Sequence, residues 1–158
     1  MLRRSEIPYL RRKVGTVFQD FRLLPKKSVF DNVSLPLLVQ GISSADIRRK
    51  VTEALRAVGV DHKRDQLPAG LSTGEQQRVC IARAIVNGPV VLLADEPSGN
   101  LDHMNSERLH DLFAELAREL EIAMIVVTHN RALAGRADRI LQLEDSRLAQ
   151  IALPEVVA

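Results

Sequence analysis

Two unbroken apolar runs, Val90-Val91-Leu92-Leu93-Ala94 and Ile122-Ala123-Met124-Ile125-Val126-Val127, constrain this chain more than any other feature. Each follows a stretch whose apolar residues recur at helical spacing. Before the first run these are Val79, Ile81, Ala82, Ala84 and Ile85, closed off by Gly88-Pro89; before the second they are Leu109, Leu112, Phe113, Leu116 and Leu120, within residues 104–120. Helix then strand, twice over, with strands apolar enough to be buried on both faces, predicts an α/β fold with parallel strands. Both runs stop abruptly at polar residues, Asp95-Glu96 and Thr128-His129. In sheets of this class ligands bind outside the carboxyl ends of the strands, so these ends are the first candidates for function.

The remaining elements follow from local chemistry. Lys13-Val14-Gly15-Thr16-Val17-Phe18-Gln19 reads as a short strand with Gln19 at its exit, leading into a loop through Pro25. Val29 to Val39 is a mixed apolar stretch interrupted by Asp31-Asn32 and Pro36. Ser43-Ser44-Ala45-Asp46 has capping-box spacing, and Ile47, Val51, Leu55 and Val58 then recur on one stripe, predicting an amphipathic helix over 43–58 that Gly59 stops. Ser72-Thr73-Gly74-Glu75 is a second capping box, with Ser72 positioned to accept from helix amides and Glu75 to reach back. Ile140-Leu141-Gln142-Leu143, a turn at Glu144-Asp145-Ser146, and Leu148 to Ile151 predict a terminal hairpin.

Composition narrows the function classes. With 158 residues, 46% of them hydrophobic, the chain suffices for one globular domain. Its apolar runs fall far short of the roughly 20 residues needed to span a bilayer. Arg3-Arg4 has no apolar segment behind it, so a secretory signal is not expected and a cytoplasmic location is. The lone Cys80 reads as a small core residue. Charge is unevenly spread: residues 1–64 carry +8 and residues 65–158 carry −6. The basic half is suited to anionic lipid, nucleic acid or an acidic protein surface. At 3% aromatic content, however, there is little on which bases could stack, and nucleic acid is not an expected partner.

Two adjacent carboxylates at the end of a buried strand are costly unless a cation or amide groups compensate them, so Asp95-Glu96 points to a functional site. His129 by itself reads equally well as a ligand-contacting group or as a hydrogen-bonded neighbour. The helix that opens at Ser72-Thr73-Gly74 offers amides and a hydroxyl suited to an anion.

Taken together, Gln19, Leu71-Ser72-Thr73-Gly74-Glu75-Gln76-Gln77-Arg78, Leu92-Leu93-Ala94-Asp95-Glu96-Pro97, Ser98-Gly99-Asn100-Leu101-Asp102 and Thr128-His129 occur in this order. They resemble the Q-loop, signature motif, Walker B, D-loop and switch histidine of ABC transporter ATPases, over about residues 8–150. The resemblance implies a partial P-loop NTPase-like core with parallel strands (residues 89–151) and a helical signature subdomain (about 20–88). It implies ATP and Mg²⁺ as cofactors and a homodimer that sandwiches ATP, the signature motif of one subunit closing over nucleotide held by the other. On the matching positions, Ser72 and Gly74, with Glu75 and Gln76 beside them, would face a γ-phosphate across the dimer. Asp95 would hold Mg²⁺ with Gln19, Glu96 would polarise the attacking water, and His129 would contact the γ-phosphate. Asp102, the last residue of the D-loop motif, would join Gln19, Ser72, Gly74, Glu75 and Gln76 in binding the nucleotide. These are suitable tasks for such groups, because phosphoryl transfer needs charge neutralisation and an oriented water more than covalent chemistry.

The same resemblance implies an integral-membrane, permease-like partner that ties the ATPase peripherally to the cytoplasmic side of the inner membrane. Ser5 to Gly15, Phe18 to Pro25, Asn32 to Leu37, Asp46 to Val51 and Ile81-Ala82-Arg83-Ala84 are similar to the cell-division branch of the family. Ile125 to Asn130 is similar to its lipoprotein-releasing branch. Two departures stand out. Thr73 replaces the family's usual Gly, which is acceptable in a first helical turn but not at positive φ, and weakened closure is expected. No Gly-x-x-x-x-Gly-Lys-Ser/Thr loop occurs among the 158 residues. The chain therefore reads as an N-terminally shortened ATPase with little ATP affinity of its own, the alternative being a non-catalytic module that lends only its signature face.

Overall fold

The computed structural model describes residues 3–151. A short helix α1 (Ile7–Arg12) leads into strand β1 (Val14–Val17); helices α2 (Val29–Val39), α3 (Ser44–Ala57) and α4 (Thr73–Ile85) follow. Strand β2 (Val91–Asp95), helix α5 (His103–Glu119), strand β3 (Ala123–Val127), helix α6 (Arg131–Ala134) and strands β4 (Ile140–Glu144) and β5 (Arg147–Ile151) complete the order. The central sheet runs β1-β2-β3, all parallel, with Thr16 beside Leu93 and Asp95 beside Val127. Strands β4 and β5 form the expected antiparallel hairpin, turned by Asp145 and Ser146 at positive φ. No helix among the described residues is long and apolar enough to cross a membrane.

The expected α/β class with parallel strands is what the chain adopts. Helix α3 starts at its Ser43 cap, whose hydroxyl accepts from the Asp46 amide, and ends at Gly59 with φ +73°. There Val60 donates to Leu55 and Gly59 to Arg56, the paired bonds of a Schellman motif. The stretch 29–39, left without an assigned type by its mixed pattern, is a helix. Ser28 and Asp31 form a capping box at its start, Asn32 is buried with four hydrogen bonds to the 24–28 turn, and Pro36 is accommodated in its interior. Helices α1 and α6 were not foreseen: six and four residues are too few to show a period.

One expectation is corrected. Strands β2 and β3 are not buried on both faces; their burial alternates. Leu92 and Ala94 face the core with Val17, α2 and α4, whereas Leu93 (38% exposed), Ile125 (58%) and Val127 (60%) lie on a face that no described residue covers. The apolar composition is that of a strand covered on both faces; among the described residues one face is covered. On the covered face α4 lies directly over β1. A Cβ built on Gly15 would stand 2.5 Å from the Ala84 carbonyl oxygen and 2.9 Å from Leu92 Cδ1, so glycine is what allows helix and strand to approach this closely.

Candidate functional site

Because the three strands are parallel and adjacent, their carboxyl ends deliver Gln19, Asp95-Glu96 and Thr128-His129 to one edge of the sheet. Glu96 follows β2 in the left-handed conformation, φ +42°, which costs a non-glycine residue on the order of 1–3 kcal/mol. Its amide donates to the Val127 carbonyl (2.9 Å) and its own carbonyl accepts from Gly99 (3.0 Å), so the turn is held at both ends. The Glu96 carboxylate is aimed at the β3 exit. One oxygen accepts from the His129 amide (2.9 Å) and lies 2.8 Å from His129 Nδ1; the other accepts from the Thr128 hydroxyl (3.2 Å). The Nδ1-protonated tautomer donates to this carboxylate and leaves Nε2 without a partner among the described residues. The Glu96 side chain is 20% exposed and that of His129 85%.

Asp95 departs from expectation. The desolvation argument required a buried carboxylate, yet Asp95 is exposed, because the outward face of β2 is open. Among the described residues no hydrogen bond or ion pair occupies its carboxylate. Gln19 sits against the loop after β2: the Asn100 side-chain amide donates to its carbonyl (2.9 Å), and a Cβ on Gly99 would stand 3.2 Å from Gln19 Nε2. Asp102 caps α5, its carboxylate accepting from the Asn105 amide (2.8 Å) and side chain (2.7 Å). The Asn105 amide holds that carboxyl below the usual aspartate range.

The second group of site residues lies at the start of α4. Thr73 is its first residue and takes no positive φ, so the β-branched substitution is accommodated. The capping box is complete: the Ser72 hydroxyl accepts from the Glu75 amide (3.3 Å), and the Glu75 carboxylate accepts from the Ser72 amide (2.8 Å) and hydroxyl (3.0 Å). Gln76 donates to the Leu71 carbonyl (3.2 Å). A Cβ built on Gly74 would stand 3.4 Å from the Asn105 side chain, so this helix start lies beside the cap of α5. Gln76 and Asn100 line one groove with Asp20 to Leu23 and Pro25 of the loop after Gln19.

Sequence reading missed Lys63, whose ammonium lies 3.2 Å from the Glu75 carboxylate, both side chains about a quarter exposed. It also missed Asn100 and Thr128 as holders of Gln19 and Glu96. Nothing in local spacing marks such pairs. The Ser72 amide, then the Ser72 hydroxyl and Lys63, hold the Glu75 carboxyl below its ordinary value. A depressed folded value adds stability above the unfolded value, and that stability is lost as pH falls through the folded one. Carbon-detected NMR titration of the Glu75 carboxyl should therefore show its midpoint moving upward in Lys63→Met; Glu75→Gln should lose less stability on acidification than the native chain does.

A family model described as ABC transporter matches residues 1–99. The cell division ATP-binding protein FtsE of Escherichia coli (strain K12) is 48% identical over 148 residues, covering 93% of this chain and 66% of that protein. The lipoprotein-releasing system ATP-binding protein LolD of Hyphomonas neptunium is 42% identical over 138 residues, 87% of this chain and 60% of the relative. The chain thus spans about two thirds of the length of such relatives. Among solved structures, the dimeric post-hydrolysis state of the ATP-binding cassette MJ0796 bound to ADP and Pi superposes with a TM-score of 0.80. It is 35% identical and covers 94% of this chain and 68% of that one.

Proposed function

The chain belongs to the ABC transporter family, and from that premise we propose that it serves as the ATP-binding and hydrolysing subunit of an inner-membrane complex. The observation that carries this reading is the convergence of Gln19, Asp95, Glu96 and His129 on one edge of three adjacent parallel strands. Phosphoryl transfer needs an oriented water and compensation of developing charge, and this edge offers both. Glu96, held rigidly between Thr128 and His129, orients the attacking water. His129, with Nε2 free, meets the γ-phosphate. The unpartnered Asp95 carboxylate and the Gln19 amide are hard oxygen donors at the site's mouth. Such donors suit Mg²⁺, an ion that keeps waters and phosphates among its ligands. When bound, Mg²⁺ supplies charge neutralisation at the phosphates.

Ser72, Gly74, Glu75 and Gln76 form a separate face, suited to the nucleotide of a second subunit in an ATP-sandwich dimer, with the Asp102 loop beside it. The dimeric neighbour bound to ADP and Pi supports that arrangement. In this reading residues 20–88 form the helical signature region and 89–151 the Walker B, D-loop and switch part of the core. The groove between Gln19's loop and α4 belongs to the membrane partner, which holds the chain at the cytoplasmic face. Nucleic acid has no place in this scheme.

Of the two relatives, the cell-division protein is the nearer match, and we assign the chain to that process. Deleting the gene should give filamentous cells that complementation restores to normal length, scored by microscopy. Normal division with lipoproteins retained in the inner membrane would assign it to lipoprotein release instead.

A further inference from the structure

Helix α4 ends in a side chain that the scheme above does not use. Arg83, in its last turn, donates from Nη1 to the Arg22 carbonyl (2.7 Å) and from Nη2 to the Phe21 carbonyl (2.8 Å), gripping two consecutive peptide units. One turn earlier the Cys80 thiol also donates to Phe21 O (3.0 Å); burial pushes this thiol up to about 12, so it remains a protonated donor. Arg22 itself is left-handed, φ +49°, with its guanidinium 4.0 Å above the Phe18 ring. The Asn100 side-chain amide donates to the Gln19 carbonyl. The loop that carries Gln19 is thus fastened at three carbonyls, two of them to one helix.

That same helix opens at Ser72. Its middle is packed without exposure, with Val79, Ile81 and Ala82 at 0%, and over 13 residues it forms a rod of roughly 20 Å. A hydrogen-bonded helix whose middle is packed into the core moves as a unit, so displacement at one end reaches the other. We propose that Arg83 is a positioning residue through which α4 sets the backbone of residues 19–24, so that engagement of Ser72 to Glu75 is passed to Gln19. The proposal rests on the reading that Ser72 to Glu75 face a nucleotide held by a second subunit. Arginine suits the task because its planar fork holds two acceptors at fixed separation, which a lysine ammonium does not.

Hydrogen-exchange mass spectrometry tests this. The full chain is mixed with an intact family cassette loaded with Mg²⁺ and a non-hydrolysable ATP analogue. The native chain should gain protection both at residues 72–78 and at 19–24. In Arg83→Lys, which keeps the charge, protection at 72–78 should persist while the gain at 19–24 falls about tenfold, equivalent to losing one charge-assisted hydrogen bond. No protection at 72–78 in the native chain would overturn the nucleotide-facing reading and the proposal with it. Protection at 72–78 without any gain at 19–24 in the native chain overturns the proposal alone, without recourse to a variant. Equal gains at 19–24 in native and Arg83→Lys chains do the same.

Discussion

Gly74→Asp should abolish nucleotide-dependent association with an intact cassette while leaving the fold standing. The position tolerates a side chain in this chain: a Cβ there meets Asn105 at 3.4 Å, ordinary contact distance, and the helical backbone needs no positive φ. An acidic residue in the first turn is also favourable to the helix itself. The damage is electrostatic. A carboxylate brought to within about 4 Å of a phosphate charge costs about 4 kcal/mol at the effective dielectric of a protein surface. Association measured by light scattering with Mg²⁺ and ATP should weaken at least about a hundredfold, with the melting temperature within a few degrees of the native value. Gly74→Asn, nearly the same size without the charge, should retain most of the binding. Equal losses for Asp and Asn would show that bulk and not charge decides, and an unchanged Gly74→Asp would remove α4 from the nucleotide-facing role.

Gly15→Ala should be strongly destabilising for a change that adds a single methyl group. The added carbon would meet the Ala84 carbonyl oxygen at 2.5 Å, a backbone atom in a fully packed helix that cannot swing aside as a side-chain tip would. On the other side Leu92, 1% exposed in the middle of β2, stands at 2.9 Å. Relieving the first contact requires α4 to lift from β1, and relieving the second requires the Leu92 side chain on the neighbouring strand to turn, together costing about 3 kcal/mol, the upper range for overpacking. Total stabilities of natural domains are about 5–15 kcal/mol, so thermal unfolding should fall by roughly 6–12 °C. Gly88→Ala makes a control of a different kind. Nothing lies within 4 Å of its Cβ, so any loss there reports the φ of +63° and not packing. If Gly15→Ala melts with the native chain, the contact between α4 and β1 is looser than described.

Much of this architecture is legible in local spacing. The capping box at Ser72, the Ser43 cap and the stop at Gly59 lie where residue order places them, because a cap and its partner are three residues apart. The apolar runs 90–94 and 122–127 mark strands by their length, their β-branched content and the turn residues around them, although their two-sided burial did not follow, and the polar residues after them mark the candidate site. Helix 29–39 was hidden by Pro36 and by Asn32, whose polarity looks like a loop signal until its amide is seen to hold the turn before it.

What local order could not supply is every pairing that depends on which strands become neighbours. Asp95 lies beside Val127 only because β2 and β3 are adjacent and in that register; from this follows the grip of Glu96 on His129, 33 residues away. Lys63 meets Glu75, and Arg83 meets Phe21, because the turn at 61–63 and the loop after β1 come to lie beside α4, which residue order does not announce either. Exposure was likewise beyond reach. Leu93 and Leu92 are the same residue type one position apart, yet one is half-open and the other sealed, because strand side chains alternate and helices cover a single face. Residue type and spacing, which act over a few positions, are enough to announce strands, caps and a family. Contacts between segments far apart in sequence form only once the chain has packed, and they decide that the Glu96 carboxylate is held by Thr128 and His129 while that of Asp95 stays open among the described residues.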